Sequence, residues 1–394
     1  MNLLFISSEK YPNGGAASNR HLAYTKGLAE AGHNVTFLLL SKQEVNNYEN
    51  VDGGINFICV PSKKSCHNYN KFKKLYLFIH SIIIRNKIIL KIHRQRKIDA
   101  IVILDIVVWI LLPITYLAKK NNIKIIHERT EYPFVVGGRS LLMKINLEIY
   151  LKLALKKIDG IYVISNALKI YFEKLLDNII PIEIINMVVD PDRFNSISKN
   201  RIYNFKYIAY CGSLNDNKDG VDILVKAFAD ALNERKISSE IKLMLIGPIK
   251  DNSFKKKLDN ILKDKKCRDN IIFTGSVDRL KVPELLNGAS ALALARPNSK
   301  QAEGGFPTKL GEYLATGKPV IITNVGEIHL FFKDMVNAFI ADPGNVHSFS
   351  DKIHKVFSDY ANALEIGKKG KMLIYNEFNY FKQAEKLAYF IESV

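Results

Sequence analysis

The sequence predicts an α/β protein of two doubly wound, Rossmann-like domains facing across a cleft. Three observations predict it. Short apolar runs alternate with helical stretches along most of the chain, the rhythm of parallel strands joined by crossover helices. The alternation breaks once, at the polar stretch Asp190–Asn204, and restarts at Tyr207. A length of 394 residues with 47% hydrophobic content suits two domains that each bury a core. The expected boundaries are 1–195 and 205–375, with 376–394 as a C-terminal helix expected to pack back on the first domain.

The elements follow in order. Asn2–Ser7 reads as a strand, followed by a Gly-rich loop, a helix from about Ala16 to Ala31 and a strand at Val35–Leu40. Gly32 sits where a helix C-terminal glycine belongs. Ala100–Ala118 carries a single charge in nineteen positions and imitates a membrane span. Asp105 and Pro113 divide it into a strand, Ala100–Leu104, and a buried helix, Ile106–Lys120. Strands at Lys124–His127, Gly160–Ser165 and Ile182–Met187 and a helix at Asn166–Leu176 complete the first series. The second series has strands Tyr207–Cys211, Lys242–Ile246, Asn270–Thr274, Ala291–Ala295 and Pro319–Thr323. Its helices are Val221–Leu232, Val282–Gly288 and Pro307–Thr316, and Phe378–Val394 reads as a final amphipathic helix. Ligands of such sheets sit at the carboxyl ends of the strands.

Composition excludes several classes. The chain is neither disordered nor low-complexity. Its 57 Lys and Arg against 39 Asp and Glu give +18, which favours anionic partners. Cys59, Cys66, Cys211 and Cys267 form no CxxC pair, so neither a disulfide framework nor a structural zinc site is expected. The first residues lack the basic flank and apolar run of a signal peptide, which reads as cytoplasmic. Asp190-Pro-Asp192 has a metal-binding form but reads as turn chemistry. No metal site is expected elsewhere.

The most informative stretch is EGGFPTKLGEYLATGKPV, Glu303–Val320. Gly304 and Gly305 permit a tight loop, and Pro307 suits the first helical position. The amides of Thr308, Lys309 and Leu310 are then expected to be free at the positive end of a helix, a seat for a diphosphate. Glu312 lies one turn deeper, placed to accept from ribose hydroxyls.

Here the sequence resembles the family-4 glycosyltransferases, retaining enzymes of the GT-B fold. Tyr210-Cys-Gly-Ser-Leu with Lys218-Asp-Gly resembles the family's glycine-led loop and its phosphate-contacting lysine. Ile246-Gly-Pro, Phe273-Thr-Gly-Ser, Tyr162-Val-Ile-Ser-Asn-Ala and Val189-Asp-Pro-Asp-Arg-Phe resemble later segments, and Tyr11-Pro-Asn-Gly-Gly-Ala-Ala-Ser-Asn-Arg resembles its first-strand loop. The resemblance covers almost the whole chain in the expected order. It implies a donor site formed by Gly14, Gly15, Gly212, Ser213, Lys218, Arg296, Pro307, Thr308, Lys309, Leu310 and Glu312. It also places a cleft-facing histidine at about His127, in a catalytic role against the donor sugar; a satisfied histidine at a strand end is the plain alternative. Asn19, Arg20, Glu128, Arg129 and Glu131 are acceptor candidates.

Two positions depart from the family pattern. Counting back eight from Glu312 reaches Gly304, so the first motif glutamate is absent in strict register, and the resemblance makes Glu303, one place early, the candidate for its catalytic role. Ser213 stands where the family has an arginine, a charge that Arg296 is expected to supply from another strand end.

Residues Gly53–Ile98 hold eleven Lys or Arg and no Asp or Glu, interleaved with large apolar side chains. That pattern suits the surface of an anionic bilayer, with 63–97 as the contact, or else a solvated amphipathic helix. Nucleic acid is not an expected partner, because no recognisable binding module is present. The implied protein is a cytoplasmic enzyme, peripheral on the inner face of the membrane. It moves a sugar from a UDP- or GDP-sugar to a glycan or lipid-linked oligosaccharide in surface-polysaccharide assembly, with no bound metal. The alternatives are a GT-B nucleotide-sugar epimerase and a degenerate scaffold of a glycan-assembly complex.

Overall fold

The computed structural model describes residues 1–12, 14–40, 54–60, 70–136, 140–195, 203–214, 218–263 and 265–394. Packing divides the chain into two units. The first comprises Met1–Gly14, His21–Asn186 and Tyr380–Val394; the second comprises Gly15–Arg20 and Met187–Asn379.

The first sheet contains β1 (Asn2–Ser7), β2 (Asn34–Leu39), β3 (Ile55–Cys59), β4 (Ala100–Ile103), β5 (Lys124–Arg129), β6 (Gly160–Val163) and β7 (Ile182–Ile184), all parallel. Its order is β3-β2-β1-β4-β5-β6-β7. The chain moves outward from β1 to β3 and then returns to β4, so the strand order reverses between β1 and β4. At that reversal the Asp105 carboxylate accepts the Ser8 amide at 2.9 Å. Every residue of β4 is buried, and each large apolar side chain so removed from water contributes about 1.5–3 kcal/mol.

Helix α1 (Ala16–Glu30) follows β1. It ends at Gly32, whose φ of +84° lets the His33 amide reach back to Leu28 O at 3.0 Å. Helix α2 (Lys71–Gln95) begins at Asn70, whose side chain caps the Lys73 amide. Helix α3 (Val108–Lys120) follows β4, so the apolar run of 100–118 is a strand and a helix, and no helix of the described residues is long and apolar enough to cross a membrane. After β5 come α4 (Pro133–Val136) and α5 (Leu141–Ile149), which runs into a π-helical turn, Tyr150–Ala154. Ser165 caps α6 (Asn166–Leu175) through the Leu168 amide.

The short helix α7 (Asp192–Asn195) precedes the second sheet, whose strands are β8 (Tyr207–Cys211), β9 (Lys242–Ile246), β10 (Ile271–Gly275), β11 (Ala291–Leu294), β12 (Val320–Thr323) and β13 (Phe339–Ala341). They are again parallel, in the order β10-β9-β8-β11-β12-β13, with the reversal between β8 and β11. The connecting helices are α8 (Val221–Asn233), α9 (Asn252–Ile261), α10 (Lys265–Arg268), α11 (Val282–Gly288), α12 (Lys300–Gly304), α13 (Lys309–Ala315) and α14 (Ile328–Phe331). Helices α15 (Val346–Ser358) and α16 (Tyr360–Asn376) complete this unit.

The last helix, α17 (Tyr380–Ser393), belongs to the first unit. Two glycines receive it: a Cβ on Gly27 would stand 2.7 Å from Ala384, and one on Gly160 2.9 Å from Phe390. Tyr380 OH donates to the Glu30 carboxylate, and Lys124 Nζ donates to the final carbonyls of the helix, Ile391 O and Glu392 O, at 3.1 Å.

Several boundaries differ from the sequence expectation. Strand β7 stops at Ile184 rather than Met187, α3 starts at Val108 rather than Ile106, and α13 starts at Lys309 rather than Pro307. Strand β3, absent from the sequence reading, has only five residues, and its INFIC pattern is weak as a strand signal. Residues 61–69 of the basic stretch, Asn13 of the first loop, residues 196–202 of the polar stretch and 215–217 beside Lys218 lie outside the described residues.

Gly220 and Gly247 of the second unit lie against neighbouring backbone, and Gly247 joins β9 to the loop after β8. A Cβ there would lie 2.0 Å from the carbonyl oxygen of Gly212, and its φ is +137°. Gly247→Ala is expected to destabilise the protein by about 3 kcal/mol or more, since steric overlap and backbone strain add. Urea unfolding followed by far-UV circular dichroism measures it.

Candidate functional site

The second unit gathers charged groups at its strand-order reversal, where open α/β sheets leave a crevice. Strand β8 ends at Cys211-Gly212, and Arg296 follows β11. Lys309, at the start of α13, lays its side chain over Gly212: a Cβ there would be 2.3 Å from Lys309 Cε. Its ammonium pairs with Asp219 at 2.7 Å, and Tyr210 OH donates to the same carboxylate oxygen at 2.9 Å. Asp219 is 6% exposed. Burial alone would raise its pKa, but the Lys309 ion pair and the donors from Lys309 and Tyr210 hold it below the ordinary carboxylate value. Burial pushes the neighbouring Cys211 thiol up to about 12, so it stays protonated. Gly220, at φ +65°, brings the backbone against Ala295 O and so delivers Asp219 to this place.

One turn into α13, Glu312 is 8% exposed. Its Oε1 accepts from Arg193 Nη1 at 2.7 Å and from Asn19 Nδ2 at 2.8 Å. A carboxylate offers about four acceptor sites, so the second oxygen keeps capacity for further donors. Ala16, Asn19, Arg20, Val188, Val189, Asp190, Arg193, Thr308 and Glu312 line a small cavity within this unit. Its polar edge can accept hydroxyl donors at Glu312 and present cations at Arg20 and Arg193.

Other expected donor residues are placed as follows. Gly15 and Gly212 are accessible at loop positions. Gly14 closes the first segment of the first unit, and Pro307 is buried ahead of α13. Ser213 Oγ is buried with no hydrogen-bond partner. Lys218 is exposed. Arg296, 3% exposed, donates from Nη2 to Gln301 O at 3.1 Å and helps hold Asp219 ionised. The expectation of three free amides needs correction: Leu310 N–H donates to Pro307 O at 3.0 Å, because the chain turns tightly before α13 begins. Among the described residues, the amides of Thr308 and Lys309 have no backbone acceptor. Glu303 is on the exposed side of α12, where it pairs with Lys300 at 2.7 Å. Asp190 accepts from the Asp192 amide at 3.1 Å, the turn its sequence implied.

The first unit corrects the reading of His127 as a cleft-facing ring. Its side chain is fully buried in the central strand β5. Nδ1 lies 2.7 Å from Ile103 O, and Nε2 lies 2.9 Å from Tyr150 OH. A carbonyl only accepts, so Nδ1 carries the ring proton and Nε2 accepts the hydrogen bond that Tyr150 OH donates. Burial, reinforced by Arg129, pushes the His127 pKa down to about 3. It is a satisfied neutral histidine, not a ring offered to a ligand.

Of the acceptor candidates, Glu128 is 4% exposed and is held by His21 Nε2 at 2.6 Å, while Tyr11 OH bonds the other nitrogen of that ring. Arg129 is 5% exposed, donates from Nη2 to Glu131 O at 3.2 Å and lies over the Tyr150 ring at 5.9 Å. Asn19 and Arg20 line the second unit's cavity.

Sequence reasoning missed Asp219, Arg193, His21 and Tyr150. The first two stand inside quoted motifs, Lys218-Asp-Gly and Asp-Pro-Asp-Arg-Phe. The pairing of an acid directly before a positive-φ glycine with a lysine distant in the chain has no local signal. Among the described residues no group of three or more His, Cys, Asp or Glu is placed to hold a metal ion.

Comparison with known proteins agrees with this architecture. Residues 192–373 match the family model described as glycosyl transferases group 1. An uncharacterized glycosyltransferase of Methanocaldococcus jannaschii is 25% identical over 258 residues, 64% of each chain. The chain thus spans somewhat under two thirds of the length of that relative. Among solved structures, sucrose-phosphate synthase from Thermosynechococcus elongatus superposes with a TM-score of 0.73 at 15% identity, covering 100% of this chain and 98% of the other. Anabaena HepE, in complex with UDP and glucose, superposes with a TM-score of 0.70 at 15% identity over 100% of both chains. The fold is GT-B, with two parallel-sheet Rossmann-like domains, and the findings support the glycosyl transferases group 1 family.

His127 yields a pH prediction. Its folded pKa lies below its unfolded value of about 6.5, so between about pH 3 and 6.5 the unfolded chain binds one more proton. The stability this group contributes is complete above about pH 6.5 and is lost as pH falls toward 3. Melting temperatures from pH 4 to 8 are expected to fall less steeply on the acid side in His127→Gln than in wild type.

Proposed function

We propose that this protein is a retaining, family-4-type glycosyltransferase. It moves a sugar from a nucleotide-diphosphate sugar to a lipid-linked glycan acceptor in surface-polysaccharide assembly. The observation that carries the reading is the second unit's cluster at the β8/β11 reversal: Lys309 over Gly212, and a buried Glu312 on a cavity wall. Glu312 accepts the ribose hydroxyls through Oε2. Lys309, with the amides of Thr308 and Lys309, neutralises the diphosphate as it leaves; Lys218 and Arg296 add positive charge. Stabilising that developing charge is the largest catalytic contribution. The acceptor hydroxyl attacks from the face that the phosphate leaves, and a phosphate oxygen takes its proton.

The protein works on the cytoplasmic face of an anionic membrane. On α2, Phe72, Leu75, Tyr76, Ile79 and Ile83 are exposed, the first at 83%, and Lys87, Lys91 and Arg94 follow on the same helix. Apolar side chains beside basic ones bind the boundary of anionic lipid, at about 1 kcal/mol per basic residue. The exposed pairing of Glu303 with Lys300 favours one second reading, a degenerate transferase that binds donor without turning it over.

Two measurements test these readings. UDP or GDP is expected to raise the melting temperature of wild type and not of Glu312→Ala, with Glu312→Gln intermediate because an amide still accepts. No shift with any nucleoside diphosphate contradicts the donor site. Phe72→Glu combined with Ile79→Glu is expected to release the protein from phosphatidylglycerol vesicles in co-sedimentation; unchanged binding contradicts the α2 contact.

A further inference from the structure

The proposed mechanism makes no use of the buried Arg129. Arg129 closes β5 at the carboxyl edge of the first sheet, where ligands of open α/β sheets are held. It is 5% exposed, yet no carboxylate among the described residues pairs with it. Nε has no hydrogen-bond partner, and Nη2 has a single long bond to a backbone carbonyl. Of the neighbouring acids, Glu128 is bound to His21, and Glu131 gives Arg129 its main-chain oxygen. A guanidinium buried with so few acceptors is costly unless an anion completes it.

The surroundings fix the group in place. Tyr150, the first residue of the π-helical turn, lies beneath the guanidinium, and its hydroxyl is tied to His127. Such turns recur at functional sites. Arg129 also acts electrostatically on Tyr171. Tyr171 makes edge contacts with Tyr132 and Phe134, which stack on each other at 5.1 Å. Phe134 is half exposed. A planar cation beside an open aromatic cluster fits a sugar ring joined to a phosphate: the fork takes the oxygens and the rings take the sugar face.

We propose that Arg129 is the phosphate seat of the acceptor, so that the acceptor is a glycosyl phosphate or diphosphate. This inference deepens the acceptor side of the proposed function and rests on that reading. His127 and Tyr150 are positioning residues behind the seat; Arg129 makes the contact. The phosphate belongs either to a lipid carrier or to a soluble sugar phosphate, and the two share the chemistry named.

The test is calorimetric titration of the full chain, saturated with UDP, using inorganic pyrophosphate as the probe. Arg129→Gln is expected to weaken pyrophosphate binding about tenfold or more, with Arg129→Lys between, while UDP affinity stays at the wild-type value. Equal pyrophosphate affinity in wild type and Arg129→Gln, or no binding by wild type, overturns the proposal. If UDP itself fails to bind wild type, the donor reading falls, while the dependence of pyrophosphate on Arg129 still decides the seat. Should Arg129→Gln not fold, hydrogen exchange on wild type decides: pyrophosphate is expected to slow the amides of 129–136, and no slowing overturns the seat. Repeating the titration with glucose 6-phosphate, and with phosphatidylcholine vesicles with and without undecaprenyl phosphate, separates the sources. Arg129-dependent binding of the soluble ester assigns a sugar phosphate, and of the loaded vesicles alone, a lipid carrier. Arg129-independent binding of both overturns the proposal.

Discussion

All the strands of both sheets run parallel, and the rest of the architecture follows from that pairing. A parallel neighbour cannot be reached by a tight turn, so each strand is followed by a crossover, and every crossover starts from the same edge. The carboxyl ends of β1, β4 and β5, and separately of β8 and β11, therefore collect the loops that lead into the crossovers. Where strand order reverses, two loops diverge and leave room. The charged cluster of Asp219, Lys309 and Arg296 occupies one such place, and the Ser8–Asp105 contact marks the other.

Much of this was legible because hydrophobic period reports strand burial directly. β4 and β11 are short runs buried along their whole length, and each was read from sequence to within a residue or so. Glycine punctuation was equally plain at Gly32 and Gly212. The site was legible in its motifs but not in its contacts. Glu312, Lys309 and Gly212 stand in recognisable segments, yet the sequence does not say that Lys309 reaches Asp219 ninety positions away in the chain. Nor does local pattern say that His127 lies in a strand packed on both sides. A histidine at the end of an apolar run serves a ligand or the core, and only the neighbouring strands decide.

Buried charge is handled differently in the two units. In the second unit, burial of Asp219 is offset by a lysine and a tyrosine hydroxyl, and the carboxyl stays ionised. In the first unit, His127 gives up its charge and becomes a pure hydrogen-bonding spacer between Ile103 and Tyr150. Each solution fits its task. An ion pair beside a glycine loop holds a cation at the end of β8, and a neutral ring holds geometry without adding field.

The seat of α17 has a consequence for biosynthesis. The helix completes the first unit by filling the notches at Gly27 and Gly160, but it is encoded after all of the second unit. A chain growing from its N-terminus therefore presents an open first unit while residues 187–379 emerge and fold. The usual order, in which the leading domain is finished first, is inverted here: the half made first is the last to be closed.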